Sequence, residues 1–152
     1  MNRISTTALL VLAALFSASA FAQTCPGGTT RVTGGTPANP NGPGNFVGFI
    51  TGATICAARG TDRWQEFHAS NGDLIDYKLG PESPTNKVDP TKKVGTWSAS
   101  NGSNAAVTHT YGTTNFEWAI CRVDTGQTYT LVSLTGGTVN GATILAGQVP
   151  CP

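Results

Sequence analysis

The sequence predicts an all-β fold, an up-and-down antiparallel barrel of seven or eight strands, with a two-sheet β-sandwich as the alternative. Three observations carry this. Asn71-Gly72, Asn101-Gly102 and Asp124-Thr125-Gly126 each separate two runs rich in β-branched and aromatic residues, the pattern of a hairpin. No stretch after the first 22 residues keeps a helical period. Four cysteines, Cys25, Cys56, Cys121 and Cys151, follow an export signal, so the domain is expected to be stapled by disulfides in an oxidising compartment.

Taken in order, Arg3, the apolar run Ala8 to Phe16 and the small-x-small triplet Ala20-Phe21-Ala22 make residues 1–22 a signal peptide. That apolar core is too short to span a bilayer. The expected product is an exported protein, periplasmic or extracellular, with a Gly/Pro-rich leader over residues 23–45 and one barrel domain over 46–152. The leader has Arg31 as its one charge and Val32 as its one aliphatic side chain. It reads as an extended segment held down by Cys25, flexible beyond that point. Phe46 to Cys56 is expected as the first strand, and Arg59-Gly60-Thr61-Asp62 as a polar turn.

The strongest hairpin runs from Arg63 to Leu79. A type I′ turn at Asn71-Gly72 would place His68 opposite Ile75, Glu66 opposite Tyr77 and Trp64 opposite Leu79. Gly80 to Lys93, with Pro81, Pro84 and Pro90, reads as a long exposed loop. Val94 to Ala99 and Ala105 to Tyr111 form a second hairpin, in which Trp97 would oppose Ala106. In the third, Phe116 to Val123 with Thr128 to Leu134, the turn puts Ala119, Cys121, Val123, Tyr129 and Leu131 on one inward face. Thr138 to Ala146 is the last strand, with Asn140-Gly141 as a turn or bulge. Of the three possible disulfide pairings, Cys25–Cys151 with Cys56–Cys121 is favoured, because a closed barrel brings its first and last strands together.

Charge excludes several function classes. The chain has nine Lys and Arg against eight Asp and Glu; Arg3 is the only charged residue of the signal, so the exported part has none in excess. Nucleic acid and anionic membrane both reward a clustered basic surface, and neither is expected as a partner. No two cysteines have the spacing of a zinc knuckle, and H-E-x-x-H, G-x-S-x-G and phosphate-cradling glycine loops are missing.

The segments Ile50-Thr51-Gly52-Ala53-Thr54-Ile55-Cys56, Arg63-Trp64-Gln65-Glu66-Phe67-His68, Gly72-Asp73-Leu74-Ile75-Asp76-Tyr77-Lys78 and Val94-Gly95-Thr96-Trp97 resemble small exported lipocalin-like (calycin-like) proteins of Gram-negative bacteria. The likeness extends over residues 46–135. It implies an eight-stranded barrel and mostly unassigned activity. Lipocalins carry Gly-x-Trp on the first strand, whereas here Thr54 follows Gly52 at that spacing, so no ligand residue carries over.

Candidate chemistry concentrates on one strand. Glu66 and His68, two apart, point to the same side and could form an acid-base pair or two metal ligands, with His109 as a third if its strand lies near. The plainer outcome has Glu66 accepting a hydrogen bond from the Tyr77 hydroxyl and His68 at a partly solvated rim. Trp64, Tyr77, Trp97, Tyr111 and Trp118 could line a cavity or fill a core. The expected function is non-enzymatic binding of a small molecule or short peptide at one open barrel end by Trp64, Glu66, His68 and Tyr77, with no catalytic residue, metal or cofactor. The protein would be a monomer or self-associating. A self-associating surface-matrix subunit, and an inhibitor of an exported enzyme working through Gly80 to Lys93 or the leader, are the alternatives.

Overall fold

Eight of the predicted runs pair in sequence order and close on themselves. A computed structural model describes residues 24–76, 92–123, 126–133 and 135–152. Its elements are β1 (Thr29–Arg31), α1 (Phe46–Ile50), β2 (Ala53–Arg59), β3 (Asp62–His68), β4 (Asp73–Asp76), β5 (Lys92–Ser100), β6 (Ala106–Tyr111), β7 (Thr114–Val123), β8 (Thr128–Ser133) and β9 (Thr138–Ala146). Strands β2 to β9 pair antiparallel with their chain neighbours, and β9 pairs back onto β2, so the eight form a closed barrel. Closure leaves no bare sheet edge among them. The short β1 pairs with the end of β7, beside the β6 partner of that strand.

Alternation decides what faces in. On β2, Ala53, Ile55 and Ala57 join the core with Ile120, Tyr129, Leu131, Val139, Ala142 and Ile144 from the later strands. The alternate β2 residues, Thr54 and Cys56, face the other way and are still buried. The C-terminal tail covers them: Thr54 donates its hydroxyl to the Gly147 carbonyl, and the Cys151 amide donates to Gln65 Oε1.

Chain direction separates two ends. The turns at Gly60-Thr61, Gly112-Thr113 and Thr135 to Gly137 lie at one end, and α1 with the loop 101–105 lies at the other. Phe46, Phe49 and Ile50, all at 0% exposure, have the i, i+3, i+4 spacing of a helix face and plug the second end. Phe49 meets Tyr129 edge-on at 6.1 Å. This replaces the first half of the strand expected over Phe46 to Cys56, whose Ala53 to Cys56 part is the start of β2. Asn45 caps the turn by accepting from the Gly48 amide, and Asn101 Oδ1 accepts from the Val47 amide, so local capping overrides the β propensity of Phe, Val and Ile.

Hairpin registers also differ from expectation. Residues 69 to 73 form a three-residue loop closed by Ala69 N–H donating to Asp73 O, with Gly72 at φ 85° in the left-handed position. Glu66 therefore opposes Asp76, Phe67 opposes Ile75 and His68 opposes Leu74, one residue away from the type I′ register. The Asn101-Gly102 connection is longer as well, and Trp97 opposes His109 rather than Ala106. On β7 and β8, Ile120 opposes Leu131 and Arg122 opposes Tyr129. Cys121 is buried as expected, but on the face opposite to Tyr129 and Leu131. Asn140-Gly141 is the bulge that shifts the β8–β9 register.

Both disulfide pairings are corrected. Cys25 joins Cys121, and Cys56 joins Cys151. First and last barrel strands do meet, but Cys56, not Cys25, lies on the first of them. Cys25 belongs to the leader, which β1 fastens to β7 beside Cys121. The leader is folded beyond Cys25: Val32 joins the core, and Gly34 and Gly35 pack against the backbone of Gly44, Asn39 and Pro40. The expected signal peptide over residues 1–22, and Tyr77 with residues 80–91 of the expected loop, lie outside the described residues; Lys92 and Lys93 belong to β5.

Candidate functional site

The end opposite α1 holds a cavity of about 930 Å³. Its walls are Ile55 and Ala57 of β2, Trp64 of β3, Phe116 and Trp118 of β7, Leu131 of β8 and Val139 of β9. Each is an inward position of its strand, so the alternation that builds the core at one end lines a space at the other. Arg59, Asp62 and Arg63 stand around the mouth, and the Arg59 guanidinium lies 6.0 Å from the Trp64 ring centre.

The floor is polar. Glu66 and Asp76, directly opposite one another on β3 and β4, line it with His109 and Tyr111 of β6. Tyr111 donates its hydroxyl to Glu66 Oε1. Glu66 Oε2 lies 3.1 Å from His109 Nδ1, His109 Nε2 lies 2.9 Å from His68 Nε2, and His68 Nδ1 lies 3.1 Å from the Ala53 carbonyl oxygen. Five groups thus form one line of hydrogen bonds from the cavity into the wall.

The protons of that line can be assigned from its fixed end. A carbonyl only accepts, so His68 donates from Nδ1 to Ala53. Burial, reinforced by His109, pushes His68 down to about 3, so its ring is neutral and Nε2 must accept. His109 donates to it from Nε2. One proton then lies between His109 Nδ1 and Glu66. Burial alone would raise the Glu66 carboxyl, but the His109 hydrogen bond and charge, with the Tyr111 hydroxyl, outweigh it and hold the group below the usual carboxylate range. Glu66 is therefore the acceptor of the hydrogen bond at His109 Nδ1. Burial and the Glu66 charge raise Tyr111, which remains a donor.

The chain matches no family model, no curated protein and no solved structure.

Of the residues singled out from sequence, Trp64 and Glu66 line the cavity. His68, expected at a solvated rim, is instead at 0% exposure beneath it, boxed by His109 and by the Trp97 ring at 5.2 Å. Tyr77 is outside the described residues. Tyr111 supplies the phenol that Tyr77 was expected to supply to Glu66. Asp76 and Phe116 were not singled out; once Glu66 opposes Asp76, the β4 alternation is enough to find the carboxylate. Trp97 packs under the floor and donates its indole N–H to the Ala69 carbonyl. Among the described residues no group of three or more His, Cys, Asp or Glu is arranged to hold a metal ion. Glu66, His109 and His68 follow one another in a line and do not converge on a point.

Proposed function

We propose that this protein is a non-enzymatic, exported binding protein that takes a small organic molecule into the barrel through the end opposite α1. One observation carries the reading: an apolar-walled cavity of about 930 Å³ with a few polar groups at its floor. Small-molecule sites have this size and this division between walls and floor. The two disulfides are compatible with an oxidising, exported setting. The donors of the line from Tyr111 to Ala53 are committed within the protein, which supports its role as a fixed polar floor under a bound molecule.

Uptake of a neutral fluorescent probe, N-phenyl-1-naphthylamine, tests the reading. The oxidised protein should bind it and raise its emission, and Ala57→Trp, which fills the space between Ile55 and Trp64, should abolish uptake with an unchanged far-UV CD spectrum. Equal uptake by that variant overturns the reading.

A further inference from the structure

A second pocket, of about 280 Å³, lies between the leader and the barrel, far along the strands from the cavity mouth. Strand pairing sets its inner wall. Thr30 of β1 pairs with Arg122 of β7, and Arg122 in turn opposes Tyr129 of β8, so the three side chains share one face. On that face the core ends with Tyr129, and Arg122 beside it lines the pocket instead. The other walls come from the leader, with Val32, Gly34, Pro40 and Gly42 among them. A Cβ on Gly34 would stand 2.5 Å from the Gly44 carbonyl oxygen, and one on Gly42 2.8 Å from the Asn39 side-chain nitrogen. Only glycine permits so close an approach, and it holds the leader in a fixed shape around the space.

Arg122 supplies the chemistry. Its Nε is buried and meets no acceptor in the protein. A guanidinium N–H can only donate and keeps its charge, so leaving it buried and unpaired is costly. The Nε–H and the adjacent Nη–H form the edge of the guanidinium that receives two oxygens of a carboxylate or phosphate side by side. No Asp or Glu stands among the described residues that line the pocket. Arg31 borders the same space, but it pairs with Cys121 on the other face of β1, in the field of Glu117. The positive charge of the inner wall is therefore that of Arg122.

We propose that this pocket is an anion site, in which a small oxyanion, a phosphate or a carboxylate, seats on the Nε edge of Arg122 and fastens the leader to β7. The covalent tie of the leader, Cys25–Cys121, lies before β1, and the anion adds a second tie after it. The site is separate from the barrel cavity and independent of what that cavity holds.

An NMR titration of the oxidised protein tests this, with inorganic phosphate and N-acetylglycine as separate probes and sodium chloride as the control at matched ionic strength. The Arg122 Nε–H signal should move saturably with at least one probe and stay in place with chloride; the tighter probe tells phosphate from carboxylate. Arg122→Gln, followed at the Thr30 and Thr33 amides, should weaken binding at least about tenfold, as the loss of a charge-assisted hydrogen bond requires. Arg122→Lys keeps the charge but not the paired edge and should weaken it about threefold or more. If the Gln variant fails to fold, the Lys variant and the wild-type Nε–H signal carry the test. No saturable movement with either probe, or movement matched by chloride, overturns the anion site. Unchanged affinity in a folded Arg122→Gln variant overturns it as well.

Discussion

The two ends of the barrel are made by the same eight strands, yet one is packed solid and the other holds a cavity. At the packed end α1 buries Phe46, Phe49 and Ile50 in the core, with Phe49 against Tyr129, and the leader adds Val32. At the other end no described helix crosses, and Trp64, Phe116 and Trp118 border space instead of one another. Phe116 remains 39% exposed. Strand number alone leaves the interior of such a barrel undecided between filled and ligand-holding. Here the covering element decides it, one end at a time. The polar line from Tyr111 to His68 lies at the boundary, its outer members facing the cavity and its inner ones dry.

The contrast can be broken at several strengths. Largest is removal of Cys56–Cys151, which ties the C-terminal tail over β2 and spans 95 residues of sequence. In the chain-entropy model the double Cys→Ser variant should lose about 4 to 5 kcal/mol in urea unfolding under oxidising conditions, with dye uptake retained while the fold persists. Next, Phe49→Ala in the plug should cost about 3 to 5 kcal/mol. A loss under about 1 kcal/mol would show that the packed end is not a true core.

The boundary has a pH signature. Unfolded histidine titrates near 6.5 and folded His68 near 3, so as pH falls below about 6.5 the unfolded chain binds a proton that folded His68 refuses. The stability His68 contributes is full above that pH and is lost at about 1.4 kcal/mol per unit as pH falls towards 3. In an NMR titration the His68 ring signals should stay unmoved from pH 8 to pH 5, and a midpoint near 6.5 would refute its burial. Glu66, held low, acts in the same sense in the acid range, losing its contribution as pH falls through its folded value.

Smaller effects mark the remaining contrast. Asn45→Ala removes the cap of α1 and should cost about 1 kcal/mol. Phe116→Ala at the mouth should change stability by about 0.5 kcal/mol or less while weakening dye affinity severalfold. A large stability loss there would make the mouth part of the core.

Much of this architecture was legible from one sequence. The strand-period runs, the turn residues and the lack of a sustained helical period specified an antiparallel barrel, because side-chain alternation and positive-φ turns are local properties. Glu66 and Trp64 could be picked out for the same reason. The i, i+3, i+4 spacing of Phe46, Phe49 and Ile50 after Asn45 was also present, though a β-rich composition obscured it. Turn lengths were harder: Asn71-Gly72 fits a two-residue or a three-residue loop, and that one residue decides whether Asp76 or Tyr77 faces Glu66. Both loops satisfy the local backbone, so only packing chooses between them.

By itself, then, the sequence determined the fold class, the disulfide-stapled character and the strand that carries Glu66 and His68. Tertiary structure alone decided the disulfide partners, the meeting of His68, His109 and Glu66 from two strands, and which end holds the cavity among the described residues. These depend on contacts between residues far apart in the chain, whose distances follow from barrel closure and from where the leader and tail lie, and local propensity carries no record of either.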